Sequence, residues 1–176
     1  MTEAYSNFEK SIKDSESLLE IFDDPKIDLS SDSQEAIKRS ALVMICVAWE
    51  TYIEDLITEI ISKKIEVISG SQVGRYIQSS LNQRIKLLHN PNSHKVKQLF
   101  EEFLEVDLTT HWVWNNYDAD RVRTSLNQWL NLRGDAVHRA RNCDENKSLV
   151  KRDELSKCIR FFKDLVRTTD DVVSKI

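Results

Sequence analysis

The segment Arg133-Gly134-Asp135-Ala136-Val137-His138 joins a permanent cation to a side chain that carries protons near neutral pH, just after an amphipathic stretch. Arginine offers paired N–H donors to phosphate oxygens as charge develops on them, and histidine, with an ordinary pKa of about 6.5, moves protons under cellular conditions. Such a pair suits phosphodiester chemistry. RNA cleavage asks least of a protein, because the ribose 2′-hydroxyl is itself the nucleophile and neither a metal nor a covalent intermediate is required. General acid and base together profit from a second histidine, which a symmetric dimer with two copies of the motif supplies.

The spacing restricts how the pair can work. Arg133 lies three residues after Leu130 and seven after Leu126, so it extends the apolar stripe of its helix. An inward guanidinium needs a carboxylate or an anionic ligand, because desolvating it alone costs several kcal/mol. Glu50 follows nine consecutive apolar residues, Ala41 to Trp49, and is the expected partner. His138 stands five residues beyond Arg133, which is about 140° around a straight helix. Either Gly134 bends the chain until the two side chains converge, or the site combines Arg and His from two protomers.

The elements that must position these residues read as helices throughout. Three Gly and two Pro in 176 residues leave little punctuation for sheets and tight turns, so an all-α single domain spanning residues 1–176 is expected. An apolar stripe over residues 3–23 ends at Asp23-Asp24-Pro25. Ser30-Ser31-Asp32-Ser33 then offers N-caps, with Glu35 in capping-box position after Asp32. The long helix that starts there runs to Ser69-Gly70-Ser71, and its Ala41–Trp49 run, too short to cross a membrane, predicts burial on nearly all sides. A third stripe uses Val73, Tyr76, Ile77, Leu81, Ile85 and Leu88, and a short fourth uses Val96 to Leu104. After the aromatic stretch His111 to Tyr117, helices are predicted from about Asp118 to Asp120 onward and over about Arg152 to Ser174.

Net charge is −4, but it is unevenly placed. Residues 1–35 hold three Lys and ten Asp/Glu, whereas residues 120–152 hold eight Lys/Arg and four Asp/Glu. The basic stretch could neutralise phosphates through contacts that weaken with salt, or be a solvated surface. Arg123, Arg139, Arg141 and Asn142 are the expected RNA contacts. The acidic N-terminal residues could pack on the basic region of the same or another subunit, or simply aid solubility.

Cys46, Cys143 and Cys158 form no metal or redox spacing, so no metal or cofactor is expected, and Cys46 reads as core. The cysteine pattern, the polar N-terminus and the lack of a spanning segment point to a cytoplasmic protein with no membrane contact. That setting also sets aside the adhesion tripeptide spelled by Arg133-Gly134-Asp135. His89 and His94, around Asn90-Pro91-Asn92, read as surface residues, and Trp112, Trp114 and Tyr117 as packing aromatics rather than base-stacking ones.

A long apolar helix ending in Trp49-Glu50-Thr51-Tyr52, then Leu130-Asn131-Leu132-Arg133-Gly134-Asp135-Ala136-Val137-His138 and a terminal amphipathic helix, resembles the HEPN superfamily, in particular its RiboL-PSP-type domains. These occur in bacterial toxins, antiviral defence systems and RNA-processing nucleases. The resemblance implies a HEPN-like bundle of five to seven helices with one long central helix, and a metal-independent endoribonuclease whose Arg-x4-His motif meets its copy in a homodimer. Where the family often has Asn, Asp or His after the arginine, this chain has Gly134. Either Asp135 takes the polar role by orienting His138, or the substitution marks a weakened or inactive member. Arg133, His138, Asp135 and Glu50 are thus the expected catalytic set, RNA the expected substrate, and an inhibitor or antitoxin a possible partner. The alternative is a non-catalytic module that binds RNA or protein, with Arg133 and Glu50 as a structural ion pair.

Overall fold

The hydroxyl of Ser30 accepts the Ser33 amide at 3.2 Å and starts the helix around which the others are arranged. In the computed structural model, which describes residues 1–138 and 149–175, with His138 by its backbone, the described residues form six α-helices. They are α1 (Glu3–Asp23), α2 (Ser31–Lys64), α3 (Gln72–Lys86), α4 (Ser93–Leu104), α5 (Ala119–His138) and α6 (Arg152–Val173). No strand occurs among the described residues; the all-α bundle with one long helix is as expected.

α2 is the centre because it carries apolar side chains on most of its circumference: Leu42, Ile45, Trp49, Ile53, Leu56 and Ile57 are fully buried. A buried Leu or Ile contributes about 1.5–3 kcal/mol relative to an exposed one, so this helix supplies much of the driving force for folding. α1 runs antiparallel along it, burying Phe8 and Ile12. The Glu59 carboxylate accepts the first amides of α1, from Glu3 at 2.9 Å and Ala4 at 3.1 Å, where a helix start favours negative charge. α6 closes the core with Phe162, Leu165 and Val166, and Tyr52 donates to the Val166 carbonyl at 3.3 Å. Its buried Asp170 accepts the Thr2 amide at 3.2 Å, which fixes the start of α1. Trp49 sits among Tyr52, Trp112 and Phe162, with ring centroids 5.9, 6.1 and 6.0 Å away.

Several expectations need correction. Of the four cap candidates Ser30 is the one that caps α2, so the capping-box spacing from Asp32 to Glu35 is not the one used, and Glu35 pairs with Lys38. α2 ends at Lys64, and a single 3-10 turn, Glu66–Ile68, leads to α3. That junction is close: a Cβ at Gly74 would lie 2.1 Å from the Ile68 carbonyl oxygen, so only glycine fits. The front of the α3 stripe faces outward, with Val73 and Tyr76 60% and 73% exposed, because α3 meets the bundle mainly through Leu81. The Ala41–Trp49 run is not buried all round either, since Met44 and Val47 are exposed.

Candidate functional site

The buried Trp49 indole donates to the Pro91 carbonyl at 2.9 Å, fastening the connection between α3 and α4 to α2 one residue before Glu50. That connection is locked from its other end as well. Asn90 takes a left-handed conformation (φ 57°), the Lys95 ammonium donates to the His89 carbonyl, and the Asn92 side chain caps α4 by accepting the Lys95 amide at 2.9 Å. The first residue of α4 is then tied to α5, since Ser93 N–H donates to Asn127 Oδ1 at 3.0 Å and Asn127 Nδ2 donates to Ser93 Oγ at 3.0 Å. Three chain segments therefore converge around Glu50.

The Glu50 carboxylate, 19% exposed, stands between two groups. Its Oε2 is 4.0 Å from Arg133 Nη2, and its Oε1 is 3.9 Å from His89 Nδ1. The Arg133 side chain is 26% exposed, and its Nε is buried with no hydrogen-bond partner among the described residues. At 4.0 Å the carboxylate orients the guanidinium through charge without clamping it by a bidentate bond. A second anion could therefore take the remaining donors.

The neighbours along α2 sharpen the electrostatics. Glu54, one turn beyond Glu50, has its pKa raised by burial, then by the Glu50 and Asp55 charges, with His89 opposing. Cys46, one turn before Glu50, is pushed up to about 12, chiefly by burial, with Arg133 opposing and Glu50 adding. Its thiol stays protonated at neutral pH and cannot serve as a nucleophile. Val47, one turn before Glu50, and Val137, one turn after Arg133, are 45% and 52% exposed and leave apolar surface beside the pair.

Not every predicted site residue comes to this place. α5 stays helical through Gly134, with no positive φ there. Position 138 is the last described residue of α5, about 140° around the axis from position 133. Asp135 is half-buried between them. Arg123 is about 15 Å along α5 from Arg133, engaged with the Thr109 carbonyl at 3.1 Å and with Asp120. Arg139, Arg141, Asn142 and Cys143 lie outside the described residues. Arg152 bonds Asp23 of α1 through Nε at 3.0 Å, so acidic and basic regions meet within one subunit at this point. Trp114 and Tyr117 stack on each other at 5.5 Å and pack against Phe161.

A family model described as RiboL-PSP-HEPN matches residues 6–175. The chain belongs to that family. No curated protein and no solved structure matches it. HEPN domains commonly bind RNA and dimerise, which supports an RNA-related role for this one. No helix among the described residues of this HEPN domain is long and apolar enough to cross a membrane. Sequence reading missed one residue of the site, His89. It is indeed a surface histidine, 82% exposed, but it stands against Glu50. No spacing rule could place it there, because its position depends on the Trp49–Pro91 bond.

Proposed function

We propose that this HEPN domain is a metal-independent endoribonuclease of a toxin or antiviral defence system, acting in the cytoplasm as a homodimer. In the reaction the RNA 2′-hydroxyl attacks the adjacent phosphorus and the 5′-oxygen leaves, giving a 2′,3′-cyclic phosphate and a 5′-hydroxyl. Arg133 stabilises charge on the phosphate oxygens, His138 transfers a proton, Asp135 orients His138, and Glu50 holds Arg133 in place. Arg139, Arg141 and Asn142, which follow the motif in sequence, contact flanking phosphates, with Arg123 further along α5. An inhibitor or antitoxin protein restrains the activity, since an unrestrained ribonuclease harms its host.

The observation that carries this reading is the half-buried Arg133, held 4.0 Å from Glu50 with its Nε unpartnered among the described residues. A guanidinium so placed is oriented but not saturated, as an anion-binding group should be. Helix geometry supports a second protomer: with α5 helical through Gly134, an Arg133 meets a His138 most directly when the latter comes from a partner. Met44, Val47 and Val137 supply apolar surface for that contact.

The test is RNA cleavage by the purified chain in the presence of a chelator, beside His138→Ala. Expected are fragments ending in 2′,3′-cyclic phosphate, lost in the variant while its melting temperature and dimerisation persist. If the variant cleaves as well, the role given to His138 is wrong, and if the wild type cleaves no RNA, the non-catalytic module takes its place.

A further inference from the structure

We propose that His89 is a second proton-transfer residue of this site, acting as the general acid that protonates the leaving 5′-oxygen, with Glu50 shared between it and Arg133. The proposal rests on the ribonuclease reading above and adds to it a residue outside the Arg-x4-His motif. One carboxylate faces both groups: Glu50 Oε2 is 4.0 Å from Arg133 Nη2 and Oε1 is 3.9 Å from His89 Nδ1. The guanidinium and the imidazole therefore stand on the same side of the bundle, across a single side chain.

His89 also combines two properties that seldom coincide in a surface histidine. Its side chain is 82% exposed, so it can reach a bound strand, yet its backbone is fixed. The Lys95 ammonium holds its carbonyl, and Trp49 holds the Pro91 carbonyl two residues on. Pre-positioning of this kind lowers the cost of reaching a reactive geometry. The charged and titratable groups around it are Glu50 and Glu54 on α2, Lys95 on α4 and Arg133 on α5. With Nδ1 toward Glu50, Nε2 is the nitrogen left for the substrate.

The proton of the 2′-hydroxyl passes to the base, His138 in the reading above, as the O2′–P bond forms. The P–O5′ bond breaks, and the Nε2 proton of His89 passes to O5′. Arg133 stabilises the charge on the non-bridging oxygens while both transfers occur.

The experiment compares the full chain with His89→Gln and His89→Asn on two substrates: an RNA oligonucleotide, and a ribonucleoside 3′-(4-nitrophenyl phosphate), whose leaving group departs without a proton. The expected result on RNA is a fall in kcat of about 100-fold or more, KM changed by less than about threefold, and loss of the alkaline limb of the pH–rate profile. On the nitrophenyl ester the fall should be below about fivefold, since no acid is needed there. Melting temperature checks folding, which an exposed side chain should not disturb. Equal losses on both substrates would make His89 a binding or positioning residue, and no loss on RNA would make it a bystander; either overturns the proposal alone. A wild-type chain that cleaves neither substrate overturns the ribonuclease reading beneath it.

Discussion

The Trp49 indole N–H reaches the Pro91 carbonyl at 2.9 Å, and by that bond the centre of the core grips the connection that carries His89 against Glu50. Trp49 is fully buried on α2, and Pro91 is buried in the turn before α4. Neither residue belongs to the candidate site. The bond between them, with the Lys95 contact to the His89 carbonyl, nevertheless helps set His89 beside the carboxylate that also faces Arg133.

Trp49→Phe keeps an aromatic ring in the core but removes the donor. The Pro91 carbonyl then loses its partner in a buried place, at a cost of about 1–3 kcal/mol, to which the lost ring volume adds. Urea denaturation should show a lower midpoint with an unchanged slope. Exchange of the backbone amides around residues 89–92 should quicken well before global unfolding, because the connection loses its anchor.

The Glu50–Arg133 pair invites a double-mutant cycle with Glu50→Gln and Arg133→Gln. A contact at 4.0 Å between side chains 19% and 26% exposed lacks the short, hydrogen-bonded geometry of a strong buried pair. The expected coupling in stability is about 0.5–1.5 kcal/mol. A coupling above about 3 kcal/mol would instead mark a structural ion pair and favour the non-catalytic reading. The same variants should weaken RNA cleavage far more than they weaken the fold.

The extent to which the sequence foretold this arrangement differs from element to element. α6 was expected over about Arg152 to Ser174 and spans Arg152–Val173, because its apolar residues keep one continuous face and its ends are polar. For α3 the stripe predicts burial, yet Val73 and Tyr76 are exposed, because periodicity cannot tell which part of a face is covered. The same limit hid the exposure of Met44 and Val47 within an unbroken apolar run. Glu50 stood out because a charge directly after a buried segment needs a partner nearby. His89 did not, since nothing in its own neighbourhood in sequence records the fold that brings it to α2.

Glu54 gives a pH test. Burial, then the charges of Glu50 and Asp55, raise its pKa in the fold, with His89 opposing. The folded state thus holds this proton more tightly than the unfolded chain does. Stability from this group is fully present below its unfolded pKa and is lost as pH rises through the raised folded value. Glu54→Gln, locked neutral, should therefore gain on the wild type between about pH 4 and about pH 7 and show its smallest advantage at the acid end. Denaturant midpoints across that range would measure it, and an advantage that shrinks with rising pH would contradict the raised pKa.

Gly134 separates the two ways in which Arg133 and His138 could have met. α5 is helical through this residue, its φ is not positive, and a Cβ built there has nothing within 4 Å among the described residues. Alanine fits such a position, and replacing an interior helical glycine should stabilise the fold by about 0.5–1 kcal/mol. If a bend at Gly134 were part of the working site, the added side chain would straighten it and cleavage would fall with it. A site completed by a second protomer needs no such bend, so Gly134→Ala should raise the denaturation midpoint and hold kcat on RNA within about threefold of wild type. A stabilised but inactive variant would return the bend to the mechanism, and a destabilised one would mean that another chain or segment packs against this face.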